Sequence, residues 1–544
     1  MKSDTLSASG HRPPPQPREP LARHASVTGA ATLTSRILGL ARDQVLAAFF
    51  GAGNEMDAFV VAFRIPNLVR DLFGEGAMSA AFIPTFTREL ALKGKEDAWR
   101  LGNNVLNALL LTTGVVVAAG IVFARPLVEA YAGDFASVPG KLDLTVQLTR
   151  VTLPFLTMMA VAAAAMGMLN SLHHYFVPAL SPAMFNVATI VGTFVLVPLM
   201  PRLGWPPITA IALAALAGGF GQIAIQWPAL RREGFRWSPV FAPRDPALRR
   251  VLLLMGPGTI GLAATQVNLF VNTVLATSQG TGAVSWLTYA FRLMYLPIGL
   301  FGVSIGTAVL PAVSRHATVG DTAGIRRTIS RGLAMMLTVN VPATFGLIVL
   351  ATPIVELLFE RGHFTPADTA ATAAAVRLYA IGLAGYSTVR IASPTFYAIG
   401  ESRLPVIVSG VVIMVNVIAN LLLVRALGFQ GLALGTSFSA IANAGALVWL
   451  LRRRLDGLEG RRLLVTLLKV SAAATIMSVA TVVIQYAMGR EMPGEQLTRR
   501  AIRLAASIGG GLTTLALTAK MLRVDELDEA TGMILGQVRK LLGS

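Results

Sequence analysis

The sequence contains no cysteine in 544 residues, which excludes disulfides, thiolate-held metals and a cysteine nucleophile. Charge is scarce too. Only 14% of residues are charged, against about 25% in soluble proteins. Acidic residues are the rarer sign, 28 against 46 lysines and arginines. The resulting formal charge of +18 is spread between apolar runs rather than gathered in one domain with interleaved aromatics, so nucleic acid is not an expected partner. No phosphate loop, zinc-ligand spacing or nucleophile elbow is present. The sequence thus offers no enzyme motif and no cofactor site. Residues 1–25, with the run His11-Arg-Pro-Pro-Pro-Gln-Pro-Arg18, lack the apolar core and small-residue cleavage site of a signal peptide, and are expected to be a disordered cytoplasmic tail.

What the chain has in quantity is apolar length. Mean hydropathy is +0.63 and 54% of residues are hydrophobic. Uncharged stretches such as 151–201, 251–291 and 426–451 reach or exceed the roughly 20 residues that cross a bilayer. Proline, glycine and charge punctuation predict an all-α polytopic membrane protein of about fourteen helices. The spans fall near 26–51, 55–90, 97–131, 143–172, 176–200, 205–230, 247–277, 282–315, 325–358, 367–399, 403–425, 429–451, 463–488 and 499–522. Pro66, Gly74, Gly76, Pro154, Pro257, Pro297, Pro342 and Pro394 lie within spans and are places to bend. With both termini in the cytoplasm, the arginine-rich connections at 88–100, 231–250, 315–331 and 452–462 all fall inside, as the positive-inside rule requires. The connection carrying Arg490, Arg499 and Arg500 is the exception.

A self-comparison at a shift of 227–228 residues aligns Ala62-Phe63-Arg64 with Ala290-Phe291-Arg292, Leu72-Phe73-Gly74 with Leu300-Phe301-Gly302, and Pro126 with Pro353. Arg150, Pro178 and Gly204 fall on Arg377, Pro405 and Gly431 in the same register. This implies two six-helix repeats of equal orientation around a central cavity, an N-lobe over 26–235 and a C-lobe over 236–455, able to rock against each other. Two extra helices occupy 456–523, followed by a cytoplasmic tail over 524–544.

The informative residues are charges inside these helices: Arg36, Arg42, Asp43, Asp57, Arg64, Arg70, Asp71 and Glu75 in the first two, and Arg292 in the eighth. An arginine at a helix centre costs on the order of 2.5–3.5 kcal/mol on insertion scales, so it faces a partner or a wet cavity. The second repeat has Ala264, Phe270, Ile298 and Val303 where the first has Arg36, Arg42, Arg70 and Glu75, so the scaffold itself does not require those charges. Arg64 and Arg292 are matched across the pseudo-axis. Helix eight has no acidic residue between Gly282 and Ser314, so Arg292 is answered either by a carboxylate of the first repeat or by a substrate anion, and the anion is the favoured reading. Converging guanidinium forks suit a diphosphate. Asn416 and Asn420, with Thr436 on the next helix, suit either a cation or bonding between helices. Glu356, Glu360, Arg361 and His363 are expected to form solvated pairs beside an external loop.

The stretches Ser35-Arg-Ile-Leu-Gly-Leu-Ala-Arg-Asp43, Asp57-Ala-Phe-Val-Val-Ala-Phe-Arg-Ile-Pro-Asn-Leu-Val-Arg70 and Gly74-Glu-Gly-Ala-Met-Ser-Ala-Ala-Phe-Ile-Pro84 closely resemble the MurJ (MviN) family of bacterial lipid II flippases. The likeness continues at Tyr289-Ala-Phe-Arg-Leu-Met294 and Thr307-Ala-Val-Leu-Pro311. The family belongs to the multidrug, oligosaccharidyl-lipid and polysaccharide exporter superfamily. The resemblance implies fourteen helices in two lobes in the bacterial inner membrane, and a substrate, lipid II, that is undecaprenyl-diphosphate-linked disaccharide pentapeptide moved to the outer leaflet for peptidoglycan synthesis. It assigns the substrate shell to Arg36, Arg42, Arg70 and Arg292, to which the repeat adds Arg64, and functional acidic roles to Asp43, Asp57 and Glu75. It places the polyprenyl tail at the last two helices. Membrane lipids and cell-wall synthesis proteins are the other partners it suggests. Where some relatives carry acidic residues around the helix-eight arginine, this chain has Phe291 and Tyr295; where some hold sodium with carboxylates, it has Gln266, Asn268, Asn272 and Asn420. Sodium coupling is therefore not expected, leaving membrane potential or another ion. The rival readings are a flippase for another undecaprenyl-diphosphate-linked oligosaccharide and a drug or ion antiporter, the latter needing an acidic cavity.

Overall fold

The computed structural model describes residues 19–70, 78–524, 526–527 and 532. Among them the regular structure is helical, without strands, as a solvent that cannot bond to peptide groups demands. The first series is α1 (Glu19–Phe50), α2 (Asn54–Arg70), α3 (Met78–Lys93), α4 (Lys95–Val122), α5 (Ala124–Ala132), α6 (Lys141–Thr152), α7 (Phe155–Ser171), α8 (Phe176–Leu196) and α9 (Thr209–Arg232). The second is α10 (Pro246–Thr277), α11 (Ala283–Pro297), α12 (Val303–Thr318), α13 (Thr322–Phe359), α14 (Pro366–Ile381), α15 (Leu383–Ala398), α16 (Arg403–Leu427) and α17 (Phe429–Arg454), followed by α18 (Gly460–Glu491) and α19 (Leu497–Met521).

The element order repeats. Glu19 and Pro246, Asn54 and Ala283, Met78 and Val303, Lys95 and Thr322, Lys141 and Pro366, Phe155 and Leu383, and Phe176 and Arg403 start equivalent helices, each pair about 227 residues apart, the offset of the sequence match. Several expected spans are broken helices. The break at Leu153–Pro154 separates α6 from α7, and a π-helical turn over Ile298–Gly302 follows Pro297, because proline has no N–H for the helical ladder. Pro66, Pro342 and Pro394, by contrast, lie inside continuous helices.

In the first series α8 packs between α1 and α9, α9 lies on α7, and α7 on α3 and α4. In the second, α13 is the central helix, touching α12, α14 and α15 as well as α18 and α19. The two series meet where α2 packs on α11, α3 on α10 and α1 on α13. The largest apolar cluster spans that seam, with Phe59 and Ala62 of α2, Tyr289 and Leu293 of α11, and Phe359 of α13 all buried. Nine helical segments among the described residues are long and apolar enough to cross a membrane. α16 buries only Pro405, Val408, Asn416 and Asn420 and exposes Ile407, Val411, Met414, Ile418 and Leu422, an arrangement stable only when hydrocarbon is the solvent.

Candidate functional site

The site is assembled where α1, α8 and α11 converge. Arg42 sits on the buried face of α1, 8% exposed. Its Nη2 and Nε donate to Asp43 Oδ1 at 2.8 and 3.1 Å, and its Nη1 donates to Asn186 Oδ1 of α8 at 3.0 Å. Asn186 is held in turn by its own Nδ2 donating to the Ser35 carbonyl at 3.0 Å, and the Arg42 guanidinium lies 5.2 Å from the Phe185 ring centroid. The other oxygen of Asp43 accepts from Nη1 of Arg292. Asp43 therefore joins an arginine of each half, and the triad carries net +1. Its carboxylate is buried, whereas the Arg292 side chain is 44% exposed. Of the two partners left open for Arg292 by the sequence, the structure supplies the first-repeat carboxylate.

Arg42, Arg292 and Arg64 line one cavity of about 460 Å³, walled otherwise by α7, α8 and α9. Arg36 is exposed, and its guanidinium lies so close to Gly299 of the π-helical turn that a Cβ there would collide with it. The side chains of Arg70, Asp71 and Glu75 lie outside the described residues.

Asp57 is apart from this cluster and serves the other end of the seam. It is fully buried, accepts from Lys141 Nζ at 2.8 Å, and takes the backbone N–H of Gly282 at 2.7 Å and of Ser285 at 3.0 Å, together with the Ser285 hydroxyl at 2.7 Å. A first-half carboxylate thus caps the N-terminus of α11, where free N–H groups and the helix dipole favour negative charge. Beside it the His363 N–H donates to the Ala48 carbonyl at 2.9 Å, and Thr281 Oγ1 donates to Asn54 Oδ1 at 2.8 Å. Gly51 and Gly362 both have positive φ, and a methyl group on either would collide with the carbonyl of the facing chain. The halves are closed here, backbone against backbone.

Asn416 and Asn420 are brought together with Asn272 of α10. Asn420 Nδ2 donates to Asn272 and Asn416, and Asn416 Nδ2 donates to Ser439 Oγ at 2.9 Å. Thr436 does not join them; its hydroxyl donates to the Leu432 carbonyl of its own helix. No cluster of His, Asp and Glu suited to a metal occurs among the described residues. The expected solvated pairs at the end of α13 are instead an interhelix bridge: Arg500 of α19, largely buried, lies 3.0 Å from Glu356 and 3.1 Å from Glu360. That pairs one of the three arginines in the connection that is the exception to the charge rule.

Sequence reasoning missed Lys141 and Asn186. A lone lysine in a connection otherwise poor in basic residues was the available signal for the first. Nothing in the sequence marked the second.

Two repeated helix series closed at one end, with an arginine-rich cavity at their seam, define a multi-pass membrane transporter. A family model described as "Lipid II flippase MurJ" matches residues 46–497, and the chain belongs to that family. It is 31% identical over 513 residues to the "Probable lipid II flippase MurJ" of Rickettsia prowazekii, covering 94% of this chain and 99% of that protein. It is 34% identical over 427 residues to the "Lipid II flippase MurJ" of Burkholderia cenocepacia, covering 78% and 82%. The solved structure of "Lipid II flippase MurJ, inward closed conformation" superposes with a TM-score of 0.74 at 26% identity, over 91% of this chain and 99% of that one. An inward-facing multidrug transporter of the MATE family and MOP superfamily superposes at 0.64 with 17% identity, covering 79% and 98%, and shares the fold.

Proposed function

We propose that this chain flips lipid II from the inner to the outer leaflet of the bacterial cytoplasmic membrane by alternating access, its arginines binding the diphosphate. Family membership supports the substrate. The observation that carries the mechanism is the Arg42–Asp43–Arg292 triad, in which one carboxylate is shared by guanidiniums from both halves beside a cavity. A diphosphate has more charge and more acceptor oxygens than Asp43, so it competes for Arg292 and exchanges a bond between the halves for a bond to substrate. The net positive wall disfavours a cationic drug. In this reading both termini are cytoplasmic, the Asp57 closure is the outer gate, and lobes over 26–235 and 236–455 rock about the site. The prenyl tail lies along α18 and α19, whose exposed Leu464, Leu468, Val479, Val483, Ile508 and Leu512 offer it an apolar flank. Transport makes no covalent bond, and the driving force is membrane potential or an ion other than sodium.

The test is depletion of the protein in living cells with a leaflet-specific assay of lipid-linked precursors. Accumulation of lipid II in the inner leaflet is expected. Unchanged leaflet distribution overturns the proposal, and accumulation of a different diphosphate-linked oligosaccharide favours the rival flippase reading.

A further inference from the structure

The cavity beside the arginines has a second wall that the diphosphate does not use. α9 presents Gln222 and Gln226 one turn apart, both buried, Gln226 to 1% exposure. Nε2 of Gln226 donates to the Ala162 carbonyl at 3.2 Å, the Gln222 carbonyl at 2.9 Å and Ser181 Oγ at 3.1 Å. Those two carbonyls can only accept, so they fix which end of the amide is nitrogen. Oε1 is left buried, with no hydrogen-bond partner. Gln222 Nε2 donates to the Met159 sulfur at 3.3 Å, a weak acceptor. A buried amide acceptor without a donor has bonding capacity that a water or a ligand donor can satisfy.

The rest of the wall says what kind of partner. Phe63, Phe155 and Phe185 line the same cavity and pack on one another with centroids 5.1–5.5 Å apart. The space is thus lined by three arginines, the two glutamine amides and three packed phenyl rings. A volume of about 460 Å³ is in the roughly 300–1,000 Å³ range of small-molecule sites. This chemistry fits a neutral ring that offers N–H and O–H donors, has an apolar C–H face and is joined to an anion.

We propose that the pocket between α7, α8 and α9 receives the acetamido sugar attached to the diphosphate, with Gln226 Oε1 accepting from its amide N–H or a hydroxyl and Gln222 Nε2 donating to an oxygen of the ring. The inference rests on the diphosphate reading of the arginines and adds to it a site that tells a glycosylated lipid from a bare one.

The experiment is equilibrium binding to the purified full-length protein in detergent. Two probes are compared: a prenyl diphosphate without sugar, and the same prenyl diphosphate bearing one N-acetylated amino sugar. The wild-type protein binds the glycosylated probe more tightly. Gln226→Met weakens that probe by about 3–10-fold, the scale of one hydrogen bond, and leaves the bare probe unchanged. Ser181→Ala, which removes one acceptor from Nε2 without touching Oε1, keeps the discrimination. Gln222→Met carries the same test should Gln226→Met not fold. A wild-type protein that binds both probes equally, or a Gln226→Met protein that loses both equally or neither, overturns the sugar site alone. Binding of neither probe by the wild type overturns the diphosphate reading beneath it.

Discussion

Asp57 and Lys141 form an ion pair of 2.8 Å with side chains 0% and 2% exposed, in which a carboxylate of α2 meets the first residue of α6 and is itself bonded to the start of α11. Removing one member of such a pair strands the other. Asp57→Ala is expected to destabilise the protein by about 3–5 kcal/mol because Lys141 is left buried and uncompensated. Combining Asp57→Asn with Lys141→Met, which removes both charges together, recovers most of that loss. Thermal unfolding of the purified protein measures both, and an Asp57→Ala protein as stable as the wild type would refute the latch.

The backbone closure beside it makes a separate prediction. Gly362→Ala places a methyl group against the Ala48 carbonyl at a residue of positive φ, so the seam must part. The chain has no cysteine, which makes a clean background for labelling. Met56→Cys, buried at 4%, is expected to react with a membrane-impermeant maleimide several-fold faster when combined with Gly362→Ala. Equal labelling rates would show that the closure tolerates the methyl group.

Arg292 is the second half's member of the triad. Arg292→Ala is expected to abolish transport and leave protein abundance near normal, since its side chain is 44% exposed and its loss strands no partner: Asp43 keeps Arg42. Arg292→Lys restores little, because an ammonium lacks the planar fork that binds phosphate oxygens in pairs. Complementation of a depleted strain, with immunoblotting for abundance, reads both variants; full growth of the alanine variant sinks the assignment.

At the start of α13, Asp321 Oδ1 accepts the Gly324 N–H at 2.8 Å and Oδ2 lies 2.9 Å from His316 Nδ1. The backbone bond first, and the imidazole second, hold its carboxyl below the usual carboxylate range. The folded pKa lies below the unfolded one, so this contribution is complete above the ordinary carboxylate pKa of about 3.9 and fades as pH falls through the depressed value. Asp321→Ala is expected to lower the melting temperature slightly at pH 7, with the difference from wild type closing as the pH is taken below the ordinary carboxylate range. A difference independent of pH would mean that packing, not the charged cap, is responsible.

The amides of Asn272, Asn416 and Asn420 bond to one another and to Ser439 without a carboxylate among them. Transport by reconstituted protein is expected to be unchanged when sodium is replaced by potassium at a clamped membrane potential. A several-fold loss on removing sodium would reassign these asparagines to an ion site.

The fold was legible because a bilayer admits few solutions: long uncharged runs become helices, and a duplicated sequence becomes a duplicated helix order. The rare charges inside those runs were equally legible as groups in need of a partner, since each is costly in hydrocarbon. The identity of the partners was not. Arg42 and Asn186 are 144 residues apart and Asp57 and Ser285 are 228 apart, and no periodicity within one helix determines which face of another it meets. Arg500 read as one of three loop arginines, and only the structure sets it against Glu356 and Glu360 of α13. The sequence alone determined the membrane solvent, the repeat and the arginine inventory, because these follow from composition along one dimension. Only the tertiary structure decided that Asp43 joins arginines of both halves while Asp57 closes the far end. Pairing is a matter of distance and direction between helices, and that is determined by how their faces pack.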